Sequence, residues 1–104
     1  MKVYRINIAD VAKQDIRDIG IYITNELHEP VVAINITNAI LDAIETLEQM
    51  PDRIALVKDK RLAANGIRPL YVKNYTVFFH IDDILDVVEV VRVLYSHRDW
   101  ASIL

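Results

Sequence analysis

Cysteine is absent from this 104-residue chain, and glycine and proline are scarce, at two and three residues. Without thiols there is neither a disulfide framework nor a zinc site held by thiolates. So little glycine and proline, in a chain that is 53% hydrophobic, excludes collagen-like and disordered classes. No uninterrupted apolar run approaches the ~20 residues that span a bilayer, and Met1-Lys2-Val3-Tyr4-Arg5 leads into no signal-like segment. There is also no glycine-rich phosphate loop, no G-x-S-x-G elbow and no H-E-x-x-H, so the common motif-bearing enzyme classes lose support. The expectation is a single domain over 1–104 in a reducing, cytoplasmic compartment, with no membrane association, metal or cofactor.

The net charge of −3 conceals an asymmetry. From Asp10 to Glu48, eight acids face only Lys13 and Arg17, a balance of −6. From Lys58 to Lys73, Lys58, Lys60, Arg61, Arg68 and Lys73 face Asp59 alone, a balance of +4. Surfaces of opposite sign let one face repel a polyanion and the other attract it. The plainer alternative is that the helices are simply acid-rich and solvated.

Lys2 to Ile8 alternates apolar and polar residues, the period of a half-buried strand. Beyond Asp10, which suits a helix N-cap or first turn, Ile16, Ile19, Ile23 and Leu27 form one helical stripe. Pro30 opens a second helix whose stripe is Ala33, Ile36, Ile40, Ile44 and Leu47, with Pro51 marking its end. The short link makes the two helices an antiparallel hairpin. Asp52 to Gly66 lacks a period and reads as a basic loop. Three strands follow, Ile67–Lys73, Tyr75–Asp82 and Asp86–Tyr95, with tight turns at Lys73-Asn74 and Asp82-Asp83. The last is apolar at both parities, as expected of an interior strand. The predicted fold is α+β, in the order β-α-α-β-β-β: an antiparallel meander sheet with an N-terminal strand and the helical hairpin packed on one face. The other face has no helices left to cover it and is the place to look for function.

Meander strands bring residues distant in sequence onto one face. The candidate constellation is Arg68, His80 and Arg92 on successive strands, with Tyr95, His97 and Arg98 where the last one ends. A metal-independent ribonuclease needs a base for the 2′-hydroxyl, a cation for the phosphorane and an acid for the leaving oxygen, and these residue types can supply all three. The structural alternative pairs Arg68 and Arg92 with Glu89 or an aspartate and packs Tyr95 in the core. His28 reads as a surface turn residue, and Trp100 as an anchor for the tail.

The run Gly66-Ile67-Arg68-Pro69-Leu70-Tyr71-Val72-Lys73-Asn74-Tyr75-Thr76-Val77-Phe78-Phe79-His80-Ile81-Asp82, followed by Val91-Arg92-Val93-Leu94-Tyr95-Ser96-His97-Arg98-Asp99-Trp100, resembles the RelE/ParE superfamily of toxins from bacterial type II toxin-antitoxin modules. The resemblance covers essentially the whole chain. It implies a toxin held in a hetero-oligomer by a cognate antitoxin, acting either by ribosome-dependent mRNA cleavage, as RelE-like members do, or on DNA gyrase, as ParE-like members do. If the chain is a nuclease, Arg68 and Arg98 are the phosphate cations and His97 or His80 the proton-transfer group. Lys58, Lys60, Arg61, Lys73, Arg92 and Tyr95 would then contact RNA or the target. RNA-cleaving members carry a basic residue where this chain has Thr76, and a C-terminal tyrosine with no counterpart here, so the wording stands closer to ParE-like sequences. Two other readings stay open: a non-toxic module that only pairs with an antitoxin-like protein, and an unrelated sheet-based RNA-binding domain.

Overall fold

The computed structural model describes residues 2–104. Its elements in chain order are β1 (Arg5–Ile8), α1 (Asp10–Asn25), α2 (Pro30–Glu45), α3 (Lys60–Ala64), β2 (Arg68–Val72), β3 (Tyr75–Asp82), β4 (Val87–Tyr95) and α4 (Trp100–Ile103). The four strands form one sheet in the order β1-β4-β3-β2. The meander β2-β3-β4 is antiparallel, and β1 joins it in parallel beside β4. This is the α+β arrangement expected from the sequence, with β4 as an interior strand.

Asp10 falls in the first turn of α1, where its charge complements the helix dipole, and Pro30 opens α2, where its missing N–H is not needed. The hairpin buries Ala12, Ile16, Ile40, Ile44 and Leu47 against Val77, Phe79, Val88, Val90 and Val93 of the sheet. Each fully buried Val or Phe side chain there stabilises the fold by about 1.5–3 kcal/mol.

The second face of the sheet differs from the sequence expectation: it is not bare. Val57, Leu62 and Ile67 pack with Phe78 and Leu94, joined by the partly buried Trp100, Ala101, Ile103 and Leu104. Two short helices do the covering, α3 in the segment expected to be a loop and α4 in the tail. Neither is long enough to display a helical period, so tertiary contact rather than local pattern makes them. Asp59 caps α3 by accepting the Leu62 N–H at 3.1 Å. Gly66, at φ 77°, closes it with a backbone conformation that L side chains resist.

The interior strand carries a bulge. Phe79 pairs with Val90 but Phe78 pairs with Arg92, so Val91 is an extra residue. The parity of β4 reverses there: Val88 and Val90 face the hairpin before it and Val93 after it, while Val91 and Leu94 join the second core. That reversal, together with burial on both faces, accounts for the apolar residues at both parities. The β2–β3 turn is the expected Lys73-Asn74 pair, with Lys73 at φ 55°. The β3–β4 turn is longer than expected and spans 83–86. Asp82 organises it by accepting the N–H groups of Ile84 and Leu85, each at 3.0 Å.

Candidate functional site

Where α1 passes the far ends of β3 and β4, a groove of about 770 Å³ opens, lined by Asp15, Asp18, Ile19, Tyr22 and Leu27 on one side and Asn74, Tyr75, Arg92, Tyr95 and Arg98 on the other. Its floor is an ion pair. Arg92 Nε donates to Asp15 at 2.7 Å and Nη2 at 2.9 Å, and the same carboxylate accepts the Val93 N–H at 3.0 Å. β4 has no partner strand on its β1 side at this point, so Asp15 of α1 meets the Arg92 guanidinium and the Val93 N–H at the free edge of the strand. Strand β1 ends its pairing at Val90, and the carboxylate takes up a backbone donor beyond that point. The hydrogen bond to Asp15 holds the Arg92 guanidinium above its ordinary pKa, against the opposing effect of burial.

The walls are aromatic. The Tyr75 and Tyr95 rings meet edge to face at 5.9 Å, and His97 lies 5.2 Å from Tyr95. Burial raises the Tyr75 pKa, and the neighbouring Tyr95 and Tyr22 hydroxyls push it in the same direction. The tail is tied to the β2–β3 turn by the Ser96 N–H to the Asn74 carbonyl at 2.8 Å. Thr76 is buried and shares a 2.8 Å hydrogen bond with Ser96. This end of the sheet therefore presents Lys73, Tyr95, His97 and Arg98 on a fixed frame, all four exposed.

Of the residues singled out in the sequence, the groove gathers Arg92, Tyr95 and Arg98, with His97 and Lys73 beside it. It does not gather the others. Arg68 stands opposite Phe79 on the hairpin face, and its guanidinium donates to the Ile54 carbonyl. His80 stands opposite Glu89 and shares the parity of Phe78, on the other face. It is four residues from Thr76 and so about 13 Å from the end that holds His97. Glu89 bonds Asn7 at 2.7 Å, which leaves Asp15 as the partner that Arg92 finds. Lys58 and Lys60 are exposed around the start of α3, and Arg61 donates to the Ala101 carbonyl at 2.7 Å, holding α4 to α3. Trp100 anchors the tail, its ring 5.2 Å from buried Phe78.

Asp15, Asp18, Tyr22 and Tyr75 were not among the sequence candidates. Asp15 had a readable signal: it interrupts the core-facing stripe Ala12, Ile16, Ile19 with a charge, which demands a partner. No cluster of three or more His, Asp or Glu side chains placed to hold a metal occurs among the described residues.

A mixed four-stranded sheet with a helical hairpin on one face is a fold shared with solved proteins of toxin-antitoxin systems. The chromosomal ParDE system of P. aeruginosa matches with a TM-score of 0.74 at 15% identity, over 91% of this chain and 98% of that one. The E. coli toxin RelE, in a mutant free state, matches at 0.67 and 12% identity, over 96% and 90%. The RelBE2 toxin-antitoxin complex of Mycobacterium tuberculosis matches at 0.59 and 18%, over 89% and 98%. No curated protein sequence matches. Residues 6–100 match the family described as the ParE toxin of the type II toxin-antitoxin system parDE, and the chain belongs to that family.

Proposed function

We propose that this toxin arrests growth by binding a protein target, DNA gyrase, rather than by cutting RNA, and that a cognate antitoxin neutralises it in a cytoplasmic hetero-oligomer. The observation that carries this reading is the dispersal of the ribonuclease set. Arg68 and His80 leave opposite faces of the sheet, and His80 and His97 lie toward opposite ends of it. General acid-base chemistry on one phosphate needs its groups within hydrogen-bond reach of the same few atoms. Thr76, bonded to Ser96, offers no cation in their place. An aromatic groove carrying Arg98 suits protein recognition, in which Tyr and Arg are the frequent anchors.

A second reading, ribosome-dependent mRNA cleavage, draws on the exposed Lys73, His97 and Arg98 at one end of the sheet. Induced expression of the chain alone, followed by transcript mapping and a supercoiling assay with purified gyrase, separates the two. Loss of supercoiling with intact transcripts is the expected result. Translation-dependent cuts with unaffected supercoiling would establish the nuclease instead, and unimpaired growth with folded protein would leave a non-toxic binding module.

A further inference from the structure

The turn between β3 and β4 presents apolar side chains where turns ordinarily carry polar ones. Ile84 is 92% exposed, more than any other large apolar side chain among the described residues, and Leu85 is 63% exposed. The turn is nonetheless held firmly. Asp82 accepts the N–H groups of both residues at 3.0 Å, Tyr4 donates to Asp83 at 2.9 Å, and Lys2 pairs with Asp86 at 3.1 Å. The carboxylates of Asp82, Asp83 and Asp86 thus flank two apolar side chains, and Lys2 is the one cation paired with them among the described residues. A complementary feature lies elsewhere on the same chain. Between residues 54–58 and β2 a groove of about 560 Å³ is lined by Ile54, Leu56, Leu70, Tyr71 and Trp100, with Lys58 as its one charged lining residue among those described.

We propose that the Ile84-Leu85 tip of one copy docks in the β2 groove of a second copy, so that the chain associates head to tail. The shape argues for a tip. Although β2 is the outermost strand, its edge is poorly suited to accept another strand: Pro69 has no N–H, and residues 54–58 already lie along it, with the Val57 N–H on the Ile67 carbonyl at 3.0 Å. What the groove offers instead is apolar side-chain surface, open to a protruding pair of branched aliphatic residues. Because the turn is already fixed by its own hydrogen bonds, little ordering is needed for it to enter. The charge argues for a second copy. Three carboxylates against Lys2 leave the tip negative, whereas the groove opens beside the exposed Lys58 and Lys60. That polarity also repels nucleic acid and anionic lipid from the tip. Tip and groove are different patches, so the contact is heterologous and each copy keeps one of each to offer. A contact of two side chains and a charged rim belongs to the weak, transient class. The inference does not depend on whether gyrase is the target, since it uses neither Tyr95 nor Arg98.

Sedimentation equilibrium of the full chain, from about 1 μM to about 1 mM, reads the association. The natural chain is expected to pass from monomer to larger species as concentration rises, and to do so less readily at about 0.5 M than at about 0.05 M NaCl. Ile84→Asp with Leu85→Asp removes the tip, and Leu56→Glu with Lys58→Glu removes the groove; each pair should weaken association by about tenfold or more. Mixed in equal amounts, the two double variants should form a dimer and nothing larger, because one intact tip then meets one intact groove. A contact through any other surface does not give that pattern. All four positions are exposed, and a thermal melt verifies folding. Leu85→Asn and Lys58→Glu, each alone, give the same comparison if a double variant unfolds. A natural chain that stays monomeric throughout, undiminished association in either variant, or a mixture without dimer would overturn the proposal.

Discussion

Asp15 and Arg92 are joined by two charge-assisted hydrogen bonds, 2.7 and 2.9 Å long, across 77 positions of sequence. The pair fixes α1 against the bulged strand and forms the floor of the groove. With only 11% and 24% of the two side chains exposed, neither charge is well solvated on its own. Asp15→Ala strands a guanidinium and the Val93 N–H together, and the expected loss is about 2–4 kcal/mol. Arg92→Met should cost a similar amount, and Asp15→Ala with Arg92→Met much less than the two single losses combined. Urea unfolding of the three variants closes the double-mutant cycle; additive losses would contradict the pairing.

The tyrosine wall makes stability sensitive to alkali. A raised Tyr75 pKa means that the folded state holds the phenolic proton more tightly than the unfolded chain does. The corresponding stability is complete below the ordinary value of 10.0 and is lost as pH rises through the folded value. Tyr4, raised by its hydrogen bond to Asp83, acts with the same sign. Melting temperature measured from pH 8 to pH 11 should fall less steeply above about pH 10 for Tyr75→Phe than for the natural chain.

The second core depends on its tail. Trp100→Ala removes the ring packed on Phe78, and the expected cost is about 2–3 kcal/mol, since the tryptophan is only partly buried. Arg61→Ala frees α4 from α3 at a cost of about 1 kcal/mol. Hydrogen exchange should show faster exchange in 100–103 for both variants, with the hairpin unchanged.

Growth arrest separates the groove from the dispersed histidines. His80→Ala and His97→Gln are expected to stay within about twofold of the natural toxin in arrest. Arg98→Ala and Tyr95→Ala should weaken it by about tenfold or more, as truncation of a contact anchor does. Titrated induction in liquid culture reads both. Loss of arrest in His97→Gln with the fold intact would favour the nuclease.

Lys73 holds a left-handed backbone, φ 55°, at the two-residue turn. Lys73→Asn, in which the side chain tolerates that conformation, should raise stability by about 0.5–1 kcal/mol. Thermal melts check this, and any accompanying change in arrest would report the lost charge rather than the fold.

Local pattern was enough for the hairpin, because the stripes of α1 and α2 and the proline at the start of α2 are properties of contiguous residues. Alternation and the Lys73-Asn74 turn likewise placed the three meander strands. The wording around Tyr75 and from Arg92 to Trp100 carried the family resemblance. What lay beyond local pattern has one physical cause: it depends on which distant groups meet. Residues 60–64 and 100–103 are helical because each half supplies the other's apolar cover. Parallel pairing of β1 with β4, and the bulge at Val91 that reverses parity, are decisions of the assembled sheet. The end of β1 at Val90 leaves the β4 edge where Arg92 meets Asp15, and the sheet parts Arg68 from His80. The kinds of side chain available for a site were legible in the sequence, whereas their grouping was decided only when the chain folded, since strand parity and element contact set the distances on which chemistry depends.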